Sequence, residues 1–376
     1  MALFNYTFGD LIEQHFVRNS DGKYDENDAI GVNIEKEIRP MKGDTSRKEL
    51  TTFYLVEPGT FVYNPRGSRK LGLGYNDSTN TYITTYNNMI FRIRADAKDK
   101  VLPKYLFMYL SRKEWDRRAE ILSWGSSTEV FAWDTFCETE IQLPSLEIQQ
   151  KYVDVYQGMI DNQRSYEHGL EDLKLACDGY IDQLRGSMKH QRIGDYLELS
   201  EERNDDLAFG VEDVRGVSID KKFIYTKADM DGVSLSPYYT VKPKQFAYVT
   251  VTSRNGEKIS LAFNDSSNTY ICSSSYVVFG VSDQEKLYPG YLRVLLNRDE
   301  FNRYARFNSW GSARETFDWT EMCDVEIPIP DISVQKAISE MFDVYIERKG
   351  INERLKAQIK KLCPILIKGA IEEASA

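Results

Sequence analysis

The 376-residue sequence predicts an α+β protein built from two like domains, each followed by a long helix, with the two helices pairing as an antiparallel coiled coil. Three observations carry this prediction. The chain repeats itself at an offset of about 186 residues; each copy opens with about 140 residues of short alternating apolar runs; and each closes on about 40 residues with an apolar side chain at every third or fourth position. A period this long excludes a solenoid, whose units run roughly 20 to 50 residues, and means two domains of one kind in one chain.

The repeat is anchored where Ser123-Trp124-Gly125-Ser126 returns as Ser309-Trp310-Gly311-Ser312. Downstream, Phe131, Trp133, Cys137, Glu140, Ile141 and Pro144 return as Phe317, Trp319, Cys323, Glu326, Ile327 and Pro330. Upstream, Phe8-Gly9-Asp10-Leu11 faces Ile193-Gly194-Asp195-Tyr196, and Phe61-Val62-Tyr63 faces Phe246-Ala247-Tyr248, both at 185. Asn76-Asp77-Ser78 then faces Asn264-Asp265-Ser266 at 188, so the second copy carries three extra residues between those last two markers. Breaks in offset locate loops whose lengths differ.

Taken in chain order, the first part of each copy reads as strands. Thr60-Phe61-Val62-Tyr63, Met89-Ile90-Phe91-Arg92-Ile93 and Tyr276-Val277-Val278-Phe279 are β-rich runs bounded by Gly, Asn and Asp turns. One helical pattern covers residues 104–118 and returns over 290–304, each behind a proline suited to a first helical turn. Trp124, Trp133, Trp310 and Trp319 are expected as core anchors. Past Leu143-Pro144 and Ile329-Pro330 the period becomes helical. Tyr156, Leu170, Cys177 and Leu184 keep one heptad position, Met159, Tyr166, Leu173 and Tyr180 the other, and Gln163 interrupts the first. Met341, Tyr345, Ile351, Leu355, Ile359, Leu362 and Leu366 form a comparable stripe in the second copy. A stripe this long needs a partner helix, and its own repeat supplies one. The expected boundaries are domains at 1–144 and 189–330 with helices at 145–188 and 331–376.

Composition narrows the function classes. No stretch approaches the roughly 20 apolar residues of a membrane span, and the N-terminus has no signal pattern, so a cytoplasmic protein without membrane partners is expected. The five cysteines include no CxxC pair, and Cys137/Cys323 and Cys177/Cys363 repeat singly, which suggests small buried side chains. His15, His168 and His190 fit no metal-ligand spacing, so no metal or cofactor is expected. The net charge of −10 argues against a polyanion partner only until it is located. Residues 146–188 hold eight acids against four bases, while Arg66, Arg69 and Lys70, and Arg254 with Lys258, form local basic clusters.

No catalytic motif stands out: there is no GxxxxGK loop, no HExxH and no Asn-Pro-Pro-aromatic run. Asp331 with Glu347 and Lys349 is nuclease-like in spacing. However, Glu347 and Lys349 fall within the expected helix two residues apart, on different sides of it. A non-catalytic protein is expected.

The run Trp124-Gly125-Ser126, Phe131, Trp133-Asp134, then Ile141-Gln142-Leu143-Pro144-Ser145-Leu146-Glu147-Ile148-Gln149-Gln150 resembles the junction of recognition domain and conserved helix in specificity subunits of type I restriction-modification systems. It recurs through Ile327-Pro328-Ile329-Pro330 to Gln335, and Pro58-Gly59-Thr60-Phe61-Val62-Tyr63 is similar to those domains' central strands, with Pro243-Lys244 departing from Pro-Gly in the second copy. The resemblance implies a subunit with two target-recognition domains, each reading one half of a bipartite double-stranded DNA site. It further implies helices that set the spacing and dock two methyltransferase subunits, and restriction and translocation subunits in the full complex.

Two half-sites of different sequence demand different side chains on one scaffold. The candidate contacts are therefore Arg66, Arg69 and Lys70 in the first copy and Arg254, Asn255 and Lys258 in the corresponding region 249–258, which holds the insertion. Arg pairs guanine bidentately, and either cation pairs phosphate. Thr128, opposite Arg314, adds a second pair of positions. The competing reading is an acidic protein-binding scaffold or DNA-mimicking inhibitor. It needs carboxylates spaced like phosphates along one face, which the basic loops interrupt.

Overall fold

The computed structural model describes residues 3–42, 49–66, 70–123, 129–226, 228–252, 258–311 and 314–376. It divides into two compact units: residues 1–166 with 352–376, and residues 167–351.

In the first unit the strands are β1 (Phe4–Thr7), β2 (Ile12–Gln14), β3 (Ile30–Val32), β4 (Ile38–Pro40), β5 (Tyr54–Val56), β6 (Phe61–Asn64), β7 (Gly72–Tyr75), β8 (Tyr82–Thr84) and β9 (Met89–Ile93). Helices α1 (Pro103–Leu110), α2 (Lys113–Ile121) and α3 (Trp133–Glu138) follow, then β10 (Glu140–Leu143) and the first long helix α4 (Leu146–Ser187). The central sheet has the order β2-β9-β6-β7, antiparallel throughout. β1 pairs with β10, so the start of the chain closes against the strand that leads into α4. Pro103 opens α1 as expected, but the single helix expected over 104–118 is two helices, separated at Ser111-Arg112.

The second unit repeats the order: β11 (His190–Arg192), β12 (Leu197–Leu199), β13 (Arg215–Val217), β14 (Phe223–Tyr225), β15 (Tyr239–Val241), β16 (Phe246–Val249), β17 (Leu261–Phe263), β18 (Tyr270–Cys272) and β19 (Tyr276–Val281). After these come α5 (Pro289–Asn297), α6 (Asp299–Phe307), α7 (Trp319–Cys323), β20 (Glu326–Pro328) and the long helix α8 (Ile332–Ser375), which continues through Pro364. Its sheet order, β12-β19-β16-β17, matches the first, and the pattern over 290–304 likewise divides into two helices. The cores share a stacked pair: Phe61 stacks on Phe91 at 4.8 Å, and Phe246 on Phe279 at 5.0 Å.

Three left-handed turns recur at 185: Gly22 and Leu207, Lys36 and Lys221, Gly59 and Lys244. Lys244 adopts φ of 67° where Gly59 has 82°, so the second copy keeps the turn that Pro-Gly makes in the first at the cost of a strained side-chain-bearing residue.

A buried glutamine fastens each long helix to its domain. Gln149 donates to the carbonyls of Lys100 (2.8 Å) and Pro144 (2.9 Å) and accepts from the Leu102 N–H. Gln335 does the same with Lys286, Pro330 and Tyr288. Within each unit a segment of α4 runs antiparallel to a segment of α8. In the first, Lys151 pairs with Glu373 and the buried Gln163 donates to Asn352 Oδ1 at 2.9 Å, so the polar interruption of the heptad has a polar partner. In the second, Ile181 and Leu184 share a cluster with Val334, Ile338 and Phe342. Tyr166, Tyr180 and Leu362, expected in the seams, are exposed instead.

The segment from the distant helix also completes each domain core. Cys363, Ile367, Ala370 and Ala374 of α8 join the cluster of Phe8, Phe61 and Phe91. Arg298, at the start of α6 in the second unit, reaches Asp182 of α4 at 2.6 Å and Glu300 at 3.0 Å, and it holds the Glu300 carboxyl down to about 2. Cys177, Cys272 and Cys363 are buried thiols, and Cys137 and Cys323 are half-buried. Among the described residues no helix is long and apolar enough to cross a membrane.

Candidate nucleic-acid interface

In each domain the loop that carries the basic cluster joins an inner strand of the sheet, β6 or β16, to the edge strand beside it, β7 or β17. In the first, β6 and β7 pair from Phe61↔Tyr75 to Asn64↔Gly72, which leaves residues 65–71 at one end of the hairpin. Asn64 Oδ1 accepts the Arg66 N–H at 2.9 Å, a turn that projects the loop from the sheet. The Pro65 carbonyl accepts the Phe131 N–H at 2.8 Å, so the basic loop is stitched to the segment following the repeated Trp-Gly-Ser.

The second domain makes the same stitch more extensively. Thr250 O accepts from Phe317 N–H at 2.8 Å, Thr252 N–H donates to Glu315 O at 3.0 Å, and Val251 and Trp310 both bridge to Thr316. Among the described residues, 250–252 and 315–317 of the two stretches singled out from sequence are thus joined directly. Arg66, Lys70, Lys258 and Arg314 are all exposed, and among the described residues none has an ion pair. Basic side chains elsewhere on the domains commonly sit beside acids: Arg39 with Glu37, Arg92 with Glu13, and Arg293 with Asp265 and Asp343. Arg66, Lys70, Lys258 and Arg314 are therefore exposed positive charges without a paired acid among the described residues of an acidic chain. Arg69, Thr128, Arg254 and Asn255 lie outside the described residues, as does Trp124.

A buried lysine underlies each loop, and sequence reading did not find it. Lys36, in the turn between β3 and β4, donates to Leu71 O at 2.6 Å and to Asp116 Oδ1 at 2.5 Å; the same carboxylate accepts the Leu71 N–H. This clip fixes the point where the first loop rejoins the sheet. Burial pulls the Lys36 ammonium below its usual range, and Asp116 pulls it back. At the repeat-equivalent positions stand Lys221 and Asn302. Lys221 Nζ and Asn302 Oδ1 are both buried, with no hydrogen-bond partner among the described residues, and Lys221 lies 5.0 Å over the Phe301 ring. Burial pushes Lys221 down to about 7, against the pull of Asp299, which does not hydrogen-bond it as Asp116 does Lys36. The shared offset of 185 was the available signal, because it aligns the two lysines in the text.

The tryptophans divide. Trp133 and Trp319 pack on their domain cores as expected. Trp310 does not: it is exposed, because its backbone is held in the hairpin with Thr316 and points the ring away from the core. A recess lined by His15, Glu57, Arg92 and Lys98 includes none of the candidate contacts, and His15 is occupied by Glu57 at 2.5 Å.

Residues 212–361, which include this second interface and α8 as far as residue 361, match the family described as Type I restriction modification DNA specificity domain. Those residues form a domain of that family. The first half is the internal repeat of the matched region, with the same strand order. The fold of the chain is similar to that of a solved type I restriction-modification S subunit from M. genitalium, at 11% identity and a TM-score of 0.61, over 98% of this chain and 96% of that one. An HsdS subunit from Thermoanaerobacter tengcongensis matches at 13% identity over 99% and 97% of the two chains, but its TM-score of 0.37 adds nothing to the comparison of folds. A search of curated protein sequences finds no match.

Proposed function

We propose that this chain is a specificity subunit that reads a bipartite DNA site, the first domain contacting one half through Arg66, Arg69, Lys70 and Thr128 and the second contacting the other through Arg254, Asn255, Lys258 and Arg314. The observation that carries the reading is the paired loop surface of each domain: two stretches that differ between the copies, stitched by backbone hydrogen bonds, with exposed and unpaired cations. Base edges in the major groove supply sequence information, and phosphate contacts set position. The chain acts without chemistry of its own. Base modification needs the target flipped into a pocket, which methyltransferase subunits, two of them, would bring, with restriction and translocation subunits joining in the full complex. The paired helices would set the spacing between the halves and dock those subunits.

A DNA mimic is not favoured, because mimicry requires a continuous acidic face and the loops are locally basic. The test is DNA retention by the chain co-expressed with its methyltransferase. The expected result is duplex binding that weakens with salt, with log K falling by about 0.9 for each phosphate neutralised. A mimic would show no retention at any salt concentration.

A further inference from the structure

We propose that Trp310, with the exposed Phe307 three residues before it, is a base-contacting aromatic platform that packs against the half-site engaged by the second domain. The inference rests on the DNA-reading function proposed above and adds to it a contact that carries no charge.

It follows from how the tripeptide Ser309-Trp310-Gly311 is used. Ser309 is buried and its hydroxyl donates to Ala305 O at 2.6 Å, tying the tripeptide to the end of α6; Ser123 makes the same bond to Ala119 in the first domain. Gly311 has φ of 142°, and a Cβ there would lie 2.1 Å from the Arg314 carbonyl oxygen, so glycine alone lets the chain fold back. Between them, Trp310 exchanges both backbone hydrogen bonds with Thr316, at 3.1 and 2.9 Å. Serine and glycine therefore have structural work, whereas the indole between them is 62% exposed and joins no core cluster. Phe307, on the last turn of α6, is 77% exposed.

A large ring held out on a hydrogen-bonded hairpin has little backbone freedom left to lose on binding, which is what a contact platform requires. The surroundings select the occupant. The exposed Arg314 is four residues on from Trp310, and Thr316, which bridges Trp310, also bridges Val251 in the second basic stretch, so the ring stands on the same backbone assembly as the candidate cations. Aromatic faces within a positive surface are the chemistry of base stacking and of apolar insertion at a base step. At the position of Phe307 the first domain presents Ile121, also 77% exposed, so the two domains offer different apolar groups beside their loops.

The experiment uses the full chain assembled with its methyltransferase subunits and measures binding to cognate duplex across a salt series. Trp310→Ala should lower affinity by about ten- to a hundredfold, the range of a lost base–aromatic stack, with the salt slope unchanged because no counterion contact is removed. Lys258→Ala in parallel should reduce the slope by about 1. Trp310→Phe should retain most of the affinity, and the emission difference between wild type and Trp310→Phe should be quenched by cognate duplex. Unchanged affinity for Trp310→Ala overturns the inference, as does a defect that appears only in subunit assembly by size exclusion. A wild-type assembly that binds no duplex overturns the DNA-reading function itself.

Discussion

Lys36 and Lys221 occupy the same left-handed turn, but only Lys36 has a carboxylate hydrogen-bonded to it. Lys221 is held down to about 7 from an unfolded value of 10.5, so the folded state favours the neutral amine. The penalty is complete below about pH 7 and absent above 10.5, and the stability of the second domain should therefore rise with pH across that window. Asn302→Asp, which copies Asp116, should raise the Lys221 pKa, flatten that rise, and stabilise the protein at pH 7 by about 1–3 kcal/mol. Thermal melts of both forms from pH 6.5 to 9.5 check this, and parallel profiles would refute it. The exposed cations of the loops were legible in the sequence because a basic cluster on an acidic chain shows in the text. Lys221 and Asn302 were not, since nothing local marks residues 81 apart as neighbours. Trp310 was misjudged for the opposite reason: an aromatic residue is usually core, and the text does not show that Gly311 folds the hairpin so as to leave it out.

At the scale of elements, the long helices serve the domains as much as each other. Gln149 and Gln335 tie the first turn of each helix to its own domain, while the last turns of α8 close the core of the first. Ile367 is fully buried there, so Ile367→Ala should cost about 2–4 kcal/mol. Hydrogen exchange should quicken in residues 1–166 and 352–376 and stay unchanged in 167–351, the division the packing draws. Acceleration confined to α8 would show that its tail is not part of the domain core. Periodicity announced both helices and their need for a partner. It could not say that Tyr166, Tyr180 and Leu362 would face solvent while Cys363 and Ile367 faced the first domain, because a stripe reveals which side is apolar but not what covers it. The division at Ser111-Arg112 was hidden too, as an apolar pattern runs through both short helices.

For the whole molecule, duplication explains both what is common and what differs. Sheet order, stacked phenylalanines and glutamine fasteners are held in common, while the loops at 65–71 and 250–260 differ in length and in side chains. One domain, one half-site is the central claim, and base modification reports it directly. Methylated bases mapped across the genome of a host carrying the chain with its methyltransferase should define one two-part motif. Replacing Arg66 and Lys70 with Ala should then relax or erase one half of that motif and leave the other intact. Equal change in both halves, or a wild-type motif without two parts, would contradict the account.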